Sequence, residues 1–270
     1  MLRRGTIFGV VAGLIVILAI DTFAQFRNAF ILPDPIPEPE QHPGAEFRMA
    51  RVKYLTFGGG GSHGIRQPWW AIDYPYAEEH FFAALRRVTN ITVADREAFV
   101  ELSDDQIFQY PFLFLQAVGV GDWNPTAKDA ANLREHLLRG GFMLVDDFHG
   151  ERDWATFEQA IRRVFPDREI VEIPDDDPLM HIFYDLDKKT AIPGDRHLRV
   201  GPGGKIYAQM QGPAHWRAIY DDHKRIMVAM NFNIDMGDSW EHADDAFYPV
   251  PMTALGYKFG INYVIYAMTH

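Results

Sequence analysis

The chain has 270 residues, 47% of them hydrophobic, which is enough for one main domain with a large core. Its formal net charge of −11 argues against nucleic acid as a partner, because phosphates require basic surfaces. The chain contains no cysteine, which excludes a thiolate nucleophile, a disulfide, an iron–sulfur cluster held by this chain and a covalently attached haem.

The first 24 residues are predicted to form a transmembrane anchor. Arg3 and Arg4 precede an uncharged stretch over residues 5–20, and residues 22–24 lengthen it toward the roughly 20 residues that a bilayer requires. Arginines favour the cytoplasmic side, so the rest of the chain is expected in the periplasm, outside a bacterial inner membrane. A cleaved signal peptide is the alternative, since residues 22–24 also resemble a cleavage site.

Residues 25–50 are predicted to be a proline-rich spacer, with five prolines between Pro33 and Pro43. Such a density of proline favours an extended conformation that rises about 3.1 Å per residue. The spacer is therefore expected to hold a periplasmic domain, residues 51–270, at a set distance from the membrane. A disordered tether is the alternative.

Strand and helix patterns alternate along the domain. Strands are predicted at residues 52–57, 91–93, 112–118, 142–145 and 169–173. Helices are predicted after Pro75, between Thr126 and Gly140, and from Trp154 to Pro166. Since parallel neighbours need crossover connections, this succession predicts an α/β domain with a doubly wound, mainly parallel sheet. A β-hairpin at residues 216–232 is expected as an insertion or edge extension, and a buried helix closes the chain.

A run of glycines follows the first predicted strand. Gly59, Gly61 and Gly64 match the G-x-G-x-x-G spacing of dinucleotide-binding loops. The fingerprint requires a helix to begin at the third glycine, whereas here two prolines intervene and the helix begins about ten residues late. The sequence also lacks the G-K-[ST] of a phosphate-binding loop, so neither type of nucleotide site is predicted.

The glycine run nevertheless lies at the carboxyl end of a strand, the usual rim for ligands in an open α/β sheet. The residues expected to share this rim are His63, Trp69, Trp70 and Asp73. Close backbone packing of the glycines, with the tryptophans buried against the sheet, is the favoured interpretation. A ligand pocket is the alternative.

A second candidate group follows the strand at residues 142–145, where an α/β hydrolase would carry its nucleophile. Asp146, Asp147 and His149 occupy this place, and the G-x-S-x-G pattern is missing. A strand-end aspartate is predicted to cap a helix or brace a loop, with a nucleophilic aspartate as the alternative. No catalytic residue and no cofactor is predicted.

Acidic and histidine residues are dense again before the closing helix. They are Asp235, Asp238, Glu241, His242, Asp244 and Asp245. Their spacing matches no recognised calcium or zinc motif. Solvated loop charge is therefore the expectation and no metal site is predicted, with a calcium or magnesium site as the alternative.

Several motifs together resemble a bacterial domain-of-unknown-function family, number 4159, over roughly residues 51–270. They are YLTFGGGG, WWAIDYP, LREHLLRGGFMLVDDF, VFPDREIVEIP, HIFYDLD and GINYVIYAMTH. The resemblance implies a class I glutamine-amidotransferase-like, flavodoxin-like fold. Enzymes with that fold use a cysteine after a central strand, and the matching position here is Asp146 or Asp147. The resemblance therefore implies the fold without glutaminase chemistry.

The anchor, spacer and length are also similar to those of periplasmic accessory subunits of photosynthetic reaction-centre–light-harvesting complexes. The expected function is thus a non-catalytic, membrane-anchored subunit that braces a multi-subunit inner-membrane complex. Its expected partners are integral membrane proteins such as reaction-centre, cytochrome or antenna polypeptides, and the lipid bilayer around the N-terminal helix. The alternative is a periplasmic hydrolase or solute-binding protein that uses the Gly-rich rim.

Overall fold

The computed structural model describes residues 44–62, 65–186 and 189–270. The predicted anchor and most of the predicted spacer lie outside these ranges, and so does His63. Within these ranges no helix is both long enough and apolar enough to cross a membrane. The transmembrane anchor therefore stays a prediction.

The described residues contain eleven strands and five α-helices, with several short 3-10 turns between them. The strands are β1 (Met49–Lys53), β2 (Gly59–Ser62), β3 (Ile65–Pro68), β4 (Ala98–Glu101), β5 (Phe112–Gln116), β6 (Phe142–Phe148), β7 (Val171–Glu172), β8 (Leu198–Val200), β9 (Ile206–Ala208), β10 (His215–Tyr220) and β11 (Ile226–Phe232). The helices are α1 (Tyr76–Val88), α2 (Ala127–Leu138), α3 (Gly150–Val164), α4 (Met236–Glu241) and α5 (Val250–Thr269).

Seven strands form one sheet in the order β4-β1-β5-β6-β11-β10-β7. The first five of these run parallel, while β10 is antiparallel to both of its neighbours. The predicted α/β domain with a mainly parallel sheet is therefore confirmed. The predicted hairpin is β10 and β11, and it extends this sheet because β11 pairs with β6.

Helices cover both faces of the sheet. On one face α1, α4 and α5 enclose a core that contains Phe114 and Trp240. On the other face α2 and α3 enclose a core that contains Leu113, Leu115 and Phe157. Successive side chains of β5 thus point into different cores, as expected for a strand covered on both sides. The predicted placement of helices on both faces is observed.

The predicted strands at the outer edge of the sheet are partly wrong. Residues 91–93 contribute only a single bridge, between Phe47 and Val93, and the edge strand is β4 instead. β1 covers Met49–Lys53, so the domain includes the last residues assigned to the spacer. The apolar side chains beyond Lys53 have no ladder to join, and Leu55 and Phe57 are exposed. An apolar pattern therefore marks a strand only where a neighbour is available to pair with it.

Candidate functional site

The carboxyl ends of the central parallel strands lie side by side at one edge of the sheet. β5 ends at Gln116, β6 passes through Asp146 and Asp147, and Asn233 directly follows β11. All four side chains are buried. Three neighbouring strands therefore direct polar groups to one place, which is the position where open α/β sheets usually bind ligands.

Asp147 lies one residue before the end of β6, with a φ of 52° in the left-handed region. Its Oδ1 lies 3.1 Å from His149 Nε2 and accepts a hydrogen bond from the guanidinium of Arg196. Burial raises the pKa of Asp147, but the charge of Arg196 and the contact with His149 outweigh burial and hold that pKa well below its ordinary value. The Asp147 side chain is therefore an ionised carboxylate in a buried setting.

Asp146 has a different role from its neighbour. Its Oδ2 accepts hydrogen bonds from the backbone N–H groups of Met236 and Gly237, at 2.8 and 3.0 Å, and its Oδ1 accepts one from Asn231 at 3.1 Å. Burial raises the pKa of Asp146 to about 7, although these hydrogen bonds oppose the shift. Asp146 braces the start of α4, which is the loop-brace role expected for a strand-end aspartate.

Further carboxylates surround Asp147 from the segment that contains α4 and from the loop before α1. We call the buried carboxylates at this edge the acid cluster, defined as Asp73, Asp147, Asp235, Asp238 and Glu241. The expectation of solvated loop charge is wrong for the last three, which are at most 7% exposed. It holds for Asp244 and Asp245, which are exposed.

α4 comes close to Asp73 because it carries a glycine. A Cβ atom on Gly237 would lie 2.2 Å from Asp73 Oδ2 and 2.1 Å from Gln116 Nε2. Gln116 in turn donates a hydrogen bond of 2.8 Å to Asp73 Oδ2. The glycine therefore lets the backbone of α4 approach the side chains on the neighbouring strand and loop.

The acid cluster contains more carboxyl groups than there are positive charges paired with them. Burial, followed by repulsion from neighbouring carboxylates, raises the pKa of Asp73, Asp235 and Asp238 well above its ordinary value. One nearby guanidinium, Arg196, pairs with Asp147. A second, Arg51, forms an ion pair of 2.5 Å with Glu78 outside the cluster. Carboxyl groups of the cluster that no guanidinium pairs with therefore favour a bound proton, which a cation could replace.

Three sets of side chains at this edge have ligand atoms that all lie within 4.8 Å of one another. They are Asp147 with His149 and Asp235, Asp73 with Asp238 and Glu241, and Asp195 with Asp238 and His242. The first two sets are fully buried, whereas Asp195 is exposed. Such spacing allows the three groups of a set to coordinate one cation together.

A second histidine lies beside the first set. The ring of His197 lies 4.4 Å from the ring of His149, and both residues are at most 5% exposed. Among the described residues the Nδ1 atom of each ring has no hydrogen-bond partner. Burial lowers the pKa of His197 to about 4, so the imidazole is neutral at pH 7, which is the form that binds metals.

The residues predicted for the rim do not all meet at the acid cluster. Asp73, Asp147 and His149 do, whereas Trp70 is buried and packs edge-on against Phe99 with ring centres 5.5 Å apart. Trp69 is half-buried, and Gly60 packs against its ring. The glycine run forms the hairpin β2–β3. This matches the favoured interpretation, in which the glycines serve close packing.

The fold and its edge define an α/β domain with a buried carboxylate and imidazole cluster at the carboxyl ends of its parallel strands. The chain belongs to the family described as domain of unknown function (DUF4159), whose model matches residues 48–268. The family inferred from the motifs is thus confirmed. No curated protein matches the chain.

Proposed function

We propose that the domain binds a divalent cation in the acid cluster, through Asp147, His149 and Asp235. The observation that carries this proposal is that two carboxylates and an imidazole, all buried, have ligand atoms within 4.8 Å of one another. Uncompensated buried carboxylates are costly by several kcal/mol each, even after relaxation. A divalent cation would supply two positive charges where the cluster lacks them.

The composition of this set favours a first-row transition metal. One imidazole and two carboxylates suit Mn²⁺, Zn²⁺ or Fe²⁺, whereas Ca²⁺ prefers six to eight oxygen ligands. Three protein ligands leave a coordination position for water or a bound solute, and a metal-bound water is more acidic than a free one. Cation binding therefore supports a hydrolase or solute-binding role at this rim.

The test is isothermal calorimetry of the purified full chain after treatment with a chelator, titrated with MnCl₂ or ZnCl₂. Asp235→Asn removes one ligand charge, and Asp244→Asn removes the same charge from an exposed position nearby. We expect binding by the wild type and by Asp244→Asn, with a loss of at least about tenfold in Asp235→Asn, which corresponds to about 1.4 kcal/mol or more. Absence of binding in the wild type, or equal losses in both variants, would refute the proposal.

We propose as a second function that the chain is a non-catalytic accessory subunit of a bacterial inner-membrane complex. Residues 1–24 would anchor it, the α/β domain would have an amidotransferase-like fold and lie in the periplasm, and the complex would be a photosynthetic reaction-centre–light-harvesting assembly. The specific support is two apolar residues close together in the sequence, Leu55 and Phe57, whose side chains are 81 and 71% exposed. Exposed apolar groups of this size often mark a contact surface.

Mild-detergent isolation followed by mass spectrometry tests this second function. We expect integral membrane proteins to be isolated with the chain in fixed stoichiometry. The double variant Leu55→Ser, Phe57→Ser is expected to reduce their recovery, while Val200→Ser, an exposed apolar residue elsewhere, leaves it unchanged. Isolation of the wild-type chain alone would refute the accessory role.

A further inference from the structure

A long connection contacts the acid cluster and the segments around it. We call residues 192–213 the strap. The backbone N–H of Asp235 donates to Ile192 O at 2.9 Å, the hydroxyl of Tyr248 donates to Pro193 O at 2.5 Å, and Asn233 Nδ2 donates to Pro213 O at 2.8 Å. Both ends of the strap are therefore fixed to the segments around β11 and α4.

The strap backbone touches the acid cluster directly. The N–H of Asp195 donates a hydrogen bond of 2.7 Å to Asp238 Oδ2. A Cβ atom on Gly194 would lie 2.5 Å from Asp235 Oδ2 and 2.8 Å from Asp238 Oδ2, so only glycine permits this approach. The side chains that follow, Arg196 and His197, are thereby placed at the cluster.

Arg196 reaches into the cluster from a partly open position. Its side chain is 41% exposed, whereas the carboxylate of Asp147 that it pairs with is 2% exposed. The negative charges of Asp147, Asp235 and Asp238 raise the pKa of Arg196 above its ordinary value. Arg196 thus supplies a single positive charge to the cluster from a partly exposed position, on a long side chain that can turn to solvent.

We infer that Arg196 is a placeholder for the cation and leaves Asp147 when the cation binds. This inference rests on the proposed cation site. The guanidinium already pairs with the carboxylate of Asp147 that the cation would use, and two positive charges at one carboxylate repel each other. The backbone contacts of the strap remain, so only the Arg196 side chain has to move.

A separate observation points to a ligand at this place. His197, the next residue of the strap, presents a buried imidazole beside His149, and its Nδ1 has no hydrogen-bond partner among the described residues. A buried polar atom without a partner is unfavourable unless a ligand or water satisfies it. The strap therefore brings to the cluster both the competing charge and an imidazole available for coordination.

The placeholder lowers the apparent affinity, because only the fraction of molecules with Arg196 turned away can bind the cation. Arg196→Gln removes the competing charge and is expected to raise the affinity for Mn²⁺ by about tenfold, the value for a competent fraction of about a tenth. Arg196→Lys keeps the charge and is expected to stay close to the wild type. Arg199→Gln is the control, since Arg199 lies on the same strap and is exposed.

Calorimetry of the four full-length proteins with MnCl₂ decides the question, and circular dichroism melts verify that each variant folds. A higher affinity in Arg196→Gln alone supports the placeholder. Equal or lower affinity in Arg196→Gln, with binding retained by the wild type, overturns the placeholder and leaves the cation site standing. If Arg196→Gln does not fold, Arg196→Ala or Arg196→Met takes its place in the experiment. An affinity equal to that of the wild type in these variants then overturns the placeholder inference. No binding in any protein refutes the proposed function itself.

Discussion

At the scale of single residues, Asp147 combines an unfavourable backbone with favourable side-chain contacts. A non-glycine residue in the left-handed region costs on the order of 1 to 2 kcal/mol. The pairing of its carboxylate with Arg196 and His149 opposes that cost. The strained position near the end of β6 is thus held by side-chain contacts at the acid cluster.

Asp147→Asn tests this balance because it preserves the shape of the side chain and removes its charge. We expect the free energy of unfolding to fall by about 1 to 3 kcal/mol in urea at pH 7 with chelator present, since Arg196 loses its ionised partner. Asp167→Asn is the matched control. Asp167 pairs with Arg134 at 2.7 Å on the surface, where a loss of less than about 1 kcal/mol is expected. Equal losses in the two variants would contradict the assignment.

The residues of the cluster differ in how far sequence could identify them. Asp235, Asp238 and Glu241 are spaced three apart, which places them on one side of a helical segment, yet spacing alone does not show that the segment is buried. Asp146 and Asp147 could be placed at the sheet edge because a buried strand precedes them. No local pattern identifies Arg196, because its role depends on a contact between a long connection and Asp147 on a distant strand.

At the scale of elements, the closing helix α5 packs closely against its neighbours through glycines. Gly256 lies against Ser239 of α4, and Gly260 lies between Phe81 of α1 and Trp240 of α4, whose rings stack 4.2 Å apart. The two glycines are four residues apart and therefore lie on one face of the helix. α4, which carries part of the acid cluster, is held against the sheet by this contact.

Gly260→Ala is expected to destabilise the domain, although alanine is the better helix former. The new Cβ would lie 2.7 Å from both Phe81 Cε2 and Trp240 Cζ2. Overpacking of this kind costs about 1 to 3 kcal/mol, more than the roughly 1 kcal/mol gained in helix propensity. Thermal melts with the exposed variant Ala254→Gly as a control for propensity measure the difference. A higher melting temperature for Gly260→Ala would show that the contact is loose.

Elements with strong periodicity or end signals were predictable, and short edge elements were not. The helix predicted to follow Thr126 is α2, which starts with a capping box between Thr126 and Asp129, and the predicted hairpin β10–β11 forms around Asp221. The edge strand β4 has only four residues and a mixed pattern, and β7 keeps two of the five residues predicted for it. At an edge the pairing partner decides whether a strand forms, and a local pattern does not contain that information.

At the scale of the whole molecule, the acid cluster couples the stability of the domain to pH and to cations. In the folded chain the pKa of Asp146 is about 7, and the pKa values of Asp73, Asp235 and Asp238 lie well above the ordinary value. A carboxyl group with a raised pKa contributes stability that is complete below its unfolded pKa and is lost as the pH rises toward the folded one. The group with the opposite shift, Asp147, has made its full contribution by pH 7.

We therefore expect the cation-free protein to lose stability as the pH rises through about 7, the folded pKa of Asp146. The pKa of His136 and of His197 is lowered to about 4 in the folded chain. Above pH 7 these histidines are mostly neutral in the folded and in the unfolded chain, so they add little to the change of stability with pH there. The folded chain holds on Asp146 a proton that the unfolded chain has released, and the pKa values of Asp73, Asp235 and Asp238 shift in the same direction, so stability falls by up to about 1.4 kcal/mol per pH unit for each proton held in this way. A bound divalent cation replaces those protons. Saturating Mn²⁺ should therefore reduce the fall of stability with pH and raise the melting temperature more at pH 8.5 than at pH 7.

Calorimetric melts from pH 7 to pH 8.5, with chelator or with Mn²⁺, measure both effects. A melting temperature that is independent of pH, or a slope that Mn²⁺ leaves unchanged, would show that the carboxylates of the cluster are compensated without a cation.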